Sequence, residues 1–186
     1  KGLSVAPIKM EGYLNIDSGT LNPYRHGEVF VLNDGCETDM DLGTYERILG
    51  QDLTRRNFVT AGQIYTEVLE RERRGGYLGR DVQMIPHVTG VVKMRLRELA
   101  MTGNNGKQAD VVFVEVGGTA GDYENGFYIE ALRERHPELI VVRMPGFGLD
   151  GPWRDEPAFA FVIEDAAGLT WLTGHPDANP VSPYCV

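Results

Sequence analysis

The sequence predicts an α/β fold, a largely parallel sheet flanked by helices, and two observations carry that prediction. The first is the unbroken apolar run Val111, Val112, Phe113 and Val114, too short for a helix and rich in β-branched residues, which suits a strand buried on both faces. The second is the alternation of such runs with stretches of helical period along the chain. Glu115 interrupts the apolar run near its carboxyl end and Gly117, Gly118 and Gly121 follow at once, so the chain must turn beside an acidic side chain. In α/β sheets ligands bind in the crevice outside the carboxyl ends of the strands. A carboxylate there, with Asp122 and Glu124 just beyond, suits a cation such as Mg²⁺ carrying phosphates; it suits equally a turn whose acids simply face water.

Taken in order, Leu3 to Lys9 is expected to form a short strand ending in a lysine, despite Pro7. Residues from Glu11 to Glu28 are dense in Gly, Asn, Asp and Pro and are expected to be loop. Glu28 to Leu32 is a strand candidate closed by the turn residues Asn33, Asp34 and Gly35. Acids recur between Asp34 and Glu46, and Asp39 and Asp41, two apart, would share one face of an extended chain. Thr60 and Gln63 have the spacing of a capping box for a helix in which Ile64 and Val68 share a face and Gly75 and Gly76 end the run. Val82 to Ile85 is a further short strand candidate, ended by Pro86. Thr89 can cap a second helix with Val92, Leu96 and Leu99 on one stripe and Gly103 after its end. Glu124 to Arg135 suits a third helix, and Leu139 to Met144 another buried strand. After Met144 the texture changes: the fifteen residues from Pro145 to Phe159 carry three glycines and three prolines, and the region is expected to be an irregular extension.

Composition narrows the function. With 186 residues, 42% of them hydrophobic, the chain can bury one sizeable core. A formal charge of -9 disfavours nucleic acid and anionic membrane as partners, although nucleotide binding stays open if a metal carries the phosphates. Cys36 and Cys185 offer neither metal-ligand spacing nor a disulfide framework, which favours a cytoplasmic location. No stretch has the length and apolarity of a membrane span, and the amino terminus has no signal-peptide pattern. Lys9 read by itself is an ordinary strand-end lysine, Asp39 serves as well as Asp41 for a ligand, and the lone loop histidines His26 and His87 fit structural hydrogen bonding and receive no role. The charges from Glu70 to Arg74 suit a solvated helix end.

The runs KMEGYLNIDSGTLNPYRHGEVFVLNDGCETDMDLGTYER, RRNFVTAGQIYTEVLERERRGGYLG, VQMIPHVTG and VEVGGTAGDYENGFYIEALR together strongly resemble the synthetase, or amidoligase, domain of CTP synthases, nearly continuously from Gly2 to Arg133. So many ordered motifs are far more specific than a single glycine pattern. The resemblance implies a P-loop NTPase-like domain that uses Mg²⁺, ATP and UTP, phosphorylates the uracil O4 and lets ammonia displace the phosphate. It implies that Lys9 lies near the ATP phosphates, that Asp41 and Glu115 hold Mg²⁺, and that Asp122, Tyr123 and Glu124 contact the pyrimidine nucleotide UTP or inhibitory CTP. Nucleotides are then the expected partners, with a homo-oligomer compatible with the pattern.

The chain also departs from that family. The family's glycine-rich phosphate loop with its Gly-Lys pair would lie before Lys1, and its later lysine-rich nucleotide segment and glutaminase domain find no counterpart in these residues, so the chain is expected to be catalytically incomplete. From about Pro137 to Val186 the chain resembles a segment of family III CoA-transferases, RMPGFGLDGPWRD being the most specific part. The acyl-carrying aspartate of that family would lie just after Val186, and Asp150, Asp155 and Asp165 do not match it. The expected organisation is a synthetase-type segment over residues 1–135 and a CoA-transferase-like segment over 136–186, with a non-catalytic or chimeric binding module as the third reading.

Overall fold

In the computed structural model the described residues are 2–118, 125–135, 138–148 and 150–154. They belong to two compact units, one made of Lys1–Gly118 with Asp122–Leu139 and the other of Thr119–Gly121 with Ile140–Val186. The first unit holds every helix and strand described: β1 (Val5–Glu11), α1 (Pro23–His26), β2 (Phe30–Val31), β3 (Glu37–Thr38), α2 (Met40–Leu49), β4 (Phe58–Thr60), α3 (Ala61–Arg73), α4 (Thr89–Thr102), β5 (Val111–Val116) and α5 (Gly126–Arg135). This is the α/β arrangement expected, a parallel sheet in the order β4-β1-β5 with helices about it. The short antiparallel ribbon of β2 and β3 turns through Asn33 to Gly35.

The strand at the centre is β1, buried along its length beyond Val5. Its even-numbered side chains Ala6, Ile8 and Met10 pack into one cluster with Ile64 and Val68 of α3, Val92 and Leu99 of α4, and Tyr128 and Ala131 of α5. The period of two therefore turns Lys9 and Glu11 to the opposite face. There a second cluster gathers Leu32, Leu42, Leu53 and Phe58, with Tyr45 packed against it. Register places Lys9 directly between Phe58 of β4 and Glu115 of β5.

Pro7 sits inside this central strand, where a missing N–H would ordinarily break a ladder. Pairing with β4 begins only at Lys9, so nothing in the ladder calls on a Pro7 donor. The Pro7 carbonyl is met instead by the side chain of Asn57, whose Nδ2 donates to it at 2.7 Å and to Asn104 Oδ1 at 2.7 Å. Asn57 Oδ1 accepts from the Thr54 amide at 3.0 Å, and the residue is fully buried. One side chain thus does the pairing that a longer β4 would have done.

Several expectations are corrected. β5 is not buried on both faces: Val112, Val114 and Val116 face the core, but Val111 and Phe113, on the other face, are 42% and 56% exposed, so that face of the strand is left largely uncovered. Asp39 and Asp41 do not lie on an extended chain. Asp39 caps α2, accepting from the Asp41 amide at 3.1 Å, which satisfies a donor the first helical turn leaves free. Val82 to Ile85 forms no strand; Ile85 is extended ahead of Pro86, and the amides of His87 and Val88 turn back onto the Gln83 carbonyl at 3.3 and 3.4 Å. Thr89 is the first residue of α4 and not its cap.

The capping pair of α3 is half realised. The Gln63 amide donates to Thr60 Oγ1 at 3.1 Å, while the Gln63 side chain reaches the Ile16 carbonyl at 2.8 Å and ties down the loop after β1. Gly62 allows that approach, since a Cβ there would lie 2.1 Å from the Leu14 carbonyl oxygen. Gly75 and Gly103 end α3 and α4 as expected, both at positive φ. Leu139 to Met144, which belongs to the second unit from Ile140 onward, pairs with no strand among the described residues, and Ile140 and Met144 are each 89% exposed. Beyond it a turn from Pro145 to Gly148 and an edge-to-face contact of Phe147 with Trp153 at 5.7 Å match the irregular texture. Among the described residues no helix is long and apolar enough to cross a membrane.

Replacing Asn57 by Ala should cost about 3 kcal/mol, because it strands the Pro7 carbonyl and the Thr54 amide at a buried site. Urea unfolding, with the midpoint shifted and the slope unchanged, is the measurement.

Candidate functional site

The carboxyl ends of β1 and β5 and the first turn of α2 meet at one point. Lys9 Nζ donates to Asp41 Oδ2 at 2.6 Å and to Glu115 Oε1 at 2.7 Å, and Glu11 Oε1 stands 3.5 Å away. The elements explain the convergence. Parallel register sets Lys9 beside Glu115, the strand period sets Glu11 on the same face as Lys9, and the Asp39 cap starts α2 so that Asp41 falls in its first turn. A carboxylate in a first turn is also favoured by the helix dipole. The Lys9 side chain is only 7% exposed, whereas those of Asp41 and Glu115 are 42% and 39% exposed, so the lysine lies beneath two carboxylates that open to solvent.

Burial disfavours the charge on Lys9; the charge of Glu11 and the hydrogen bonds to Asp41 and Glu115 outweigh it and hold the ammonium well above its usual range. Burial pushes Glu11 up to about 7, Lys9 pulling it down and Asp39 and Glu115 adding to the rise. Asp39 is raised as well, by burial, against the pull of the Asp41 amide and Lys9. Tyr45, one helical turn after Asp41, donates its hydroxyl to Glu115 Oε2, which leaves Oε1 for Lys9; burial and that carboxylate raise the phenol. Gly117 leaves room for the Glu11 carboxylate as it is placed, for a Cβ would lie 2.3 Å from Glu11 Oε2.

Two exposed carboxylate oxygens directed at one cation are the donor type that Mg²⁺ takes, and the ammonium marks where positive charge is stable. Among the described residues no group of three or more acid, histidine or cysteine side chains is arranged to hold a metal. A divalent ion would therefore draw two ligands, from Asp41 and Glu115, and complete its shell from water and phosphate oxygens, and the residues fit such an ion in that partial sense.

The structure thus brings together Lys9, Asp41 and Glu115, which are distant in sequence. Asp122, Tyr123 and Glu124 lie outside the described residues. Glu11 and Tyr45 belong to the cluster and were missed. The signal for Glu11 was its place two residues after Lys9, hidden by reading the strand as ending at Lys9; that for Tyr45 was its spacing of four from Asp41, visible once α2 is a helix. His87 Nδ1 accepts from the Gln83 amide at 3.0 Å and His26 packs edge-on against Tyr13, both structural contacts.

A parallel sheet flanked by helices, with a charged cluster at the strands' carboxyl ends, defines an α/β protein. The sequence model of the family described as CTP synthase N-terminus matches residues 1–142, and the chain belongs to that family. CTP synthase of Pyrobaculum calidifontis is 55% identical over 139 residues, 75% of this chain and 25% of that protein. CTP synthases of Methanosarcina barkeri and of a Nocardioides species are 52% and 53% identical over 178 and 186 residues, 91% and 96% of this chain and 33% and 32% of theirs. The chain spans about a quarter to a third of the length of these relatives. The model of CoA-transferase family III matches residues 107–185, in line with the likeness of the tail and overlapping the first match.

The raised carboxyl of Glu11 has a sign to test. A group with a folded-state value above its usual 4.5 stabilises fully below that pH and loses the contribution as pH rises through about 7. Stability of the wild type relative to Glu11→Gln, from urea unfolding, should fall across this window by at most about 3 kcal/mol and then level off.

Proposed function

We propose that this chain is the amidoligase segment of a CTP synthase-type ligase, binding Mg²⁺, ATP and the pyrimidine nucleotides UTP and CTP in a cytoplasmic protein. The observation that carries the reading is the convergence of Asp41 and Glu115 on the Lys9 ammonium at the carboxyl ends of β1 and β5. Asp41 and Glu115 would hold the magnesium, which would supply positive charge to offset that of the phosphates. Lys9, freed in part from those carboxylates, would face the phosphates as a point charge. Tyr45 would fix the orientation of Glu115. Asp122, Tyr123 and Glu124 would take the pyrimidine nucleotide, as the resemblance implies. The reaction is phosphorylation of the uracil O4 and then displacement of phosphate by ammonia.

The division of labour along the chain mirrors the two likenesses: residues 1–135 carry the synthetase-type site and 136–186 the CoA-transferase-like segment. Partners are nucleotides and further copies of the chain, with neither nucleic acid nor membrane among them. Phosphoryl transfer depends on many donors held about the transferred group. Within these 186 residues the proposed set offers one lysine for that task. Each missing preorganised donor typically costs at least ~10²-fold, so the purified chain should bind nucleotide weakly and turn over below detection.

Titration calorimetry with Mn²⁺ should show weak binding alone and tighter binding with ATP present, and Glu115→Ala should lose the nucleotide-dependent gain. Equal gains in both proteins would remove Glu115 from the site. Incubation with UTP, ATP, Mg²⁺ and ammonium, which bypasses a glutaminase, should give no CTP by chromatography; CTP formation abolished by Asp41→Ala would refute the inactivity.

The match of residues 107–185 to CoA-transferases supports a second reading, a CoA-binding fragment. Binding of coenzyme A that survives Glu115→Ala, with no nucleotide binding by the wild type, would favour it.

A further inference from the structure

The three carboxylates around Lys9 are not alike. Asp41 and Glu115 are more than a third exposed, while the side chain of Glu11 is only 8% exposed, beneath the backbone of Gly117 and on the same strand face as the lysine. Space has been kept for it, since a Cβ on Gly117 would collide with Oε2. Among the described residues its one salt-bridge partner is Lys9, at 3.5 Å, too far for a strong hydrogen bond. The lysine is drawn instead to Asp41 and Glu115, at 2.6 and 2.7 Å. Those oxygens are the ones a divalent cation would share, and two cations cannot both hold them at full strength. Once they are shared, an ammonium this deeply buried needs another counter-charge, since an unpaired buried charge is strongly destabilising. Glu11 is that counter-charge, within a small rotation of the lysine side chain.

We propose that Glu11 is the positioning residue of this site, the buried carboxylate that receives the Lys9 ammonium when Asp41 and Glu115 turn to a divalent cation. The proposal rests on the reading of Asp41 and Glu115 as the cation's ligands. Glu11 touches neither the ion nor a nucleotide; it acts through Lys9. Without it the lysine's only ion-pair partners among the described residues are the two ligands, Asp39 being tied to the first turn of α2, and it competes with the metal for both. Its loss should therefore weaken metal binding only while Lys9 is present, which neither a direct ligand nor a purely structural residue would do.

The test is a double-mutant cycle read by the electron paramagnetic signal of free Mn²⁺, with MnCl₂ as the probe at about pH 8. Glu11→Gln should weaken Mn²⁺ binding about tenfold, the usual scale for losing a group behind a ligand. In the Lys9→Gln background the same change should alter affinity less than about twofold, and Glu11→Asp, keeping the charge, should stay within about threefold of wild type. An equal loss in both backgrounds overturns the proposal, and so does no loss in either. Asp41→Ala binding Mn²⁺ as tightly as wild type would instead overturn the ligand reading, whatever Glu11 does. A measurement on the wild type alone guards against a variant that does not fold. On adding Mg²⁺, the ¹⁵N signal of Lys9 Nζ and the ¹³C signal of the Glu11 carboxyl should shift together, and a Lys9 shift with Glu11 unmoved overturns the proposal.

Discussion

A buried positive charge organises the carboxyl end of the sheet. The ammonium of Lys9 is held on the central strand with almost no access to water, and such a charge is tolerated only where opposite charge is brought to it. Three structural choices meet that demand. β5 runs parallel to β1 in a register that puts Glu115 at its side, α2 begins where its first turn can deliver Asp41, and β1 continues past the lysine to Glu11. Apolar packing supports each of them, through Val112, Val114 and Val116 of β5 and Met10 of β1 in the main core and through Leu42 of α2 in the smaller cluster on the lysine's own face. The main core and the charged groups lie on opposite faces of β1, while the smaller cluster of Leu32, Leu42, Leu53 and Phe58 shares the face of the lysine.

Elements are legible in the sequence where one kind of force acts alone. The strand at Val111 to Val116 and the helices α3 and α4 carry continuous apolar signals with glycine stops, and their positions agree closely with that pattern. The pairing of Asp41 with Glu115 came through a family resemblance; spacing by itself left Asp39 an equal candidate, and the capping geometry shows why Asp39 has a different task. α2 was missed because Gly43 and a scatter of polar residues dilute its apolar face. The carboxyl end of β1 beyond Lys9 was missed because Glu11 and Gly12 look like loop when their partners are unknown. Leu139 to Met144 has the composition of a buried strand, but composition fixes neither pairing nor burial, which depend on what lies alongside.

Side chains also stand in for backbone at two points that local propensity cannot reveal. Asn57 completes the ladder beside Pro7, and Gln63 leaves its expected reciprocal cap to hold the loop at Ile16. Asn57 keeps its local bond to the Thr54 amide while reaching Pro7, whereas Gln63 gives up the local one for a distant partner. The chain around the site is tied together by such substitutions more than by long strands, for β4 has three residues and still positions the helix after it.

Asp41 and Tyr45 share one face of α2, a turn apart, and both reach the neighbourhood of Glu115. They are consequently fixed to a single lever. A tilt of that helix would withdraw a carboxylate oxygen from the cluster and release the far oxygen of Glu115 in the same motion, changing the negative charge presented to solvent in one step. Loading of the cluster and the orientation of a helix more than thirty residues away along the chain from Lys9 are in that sense one coordinate, and a force applied at the exposed side of α2 is felt as a change of electrostatic potential at the strand ends.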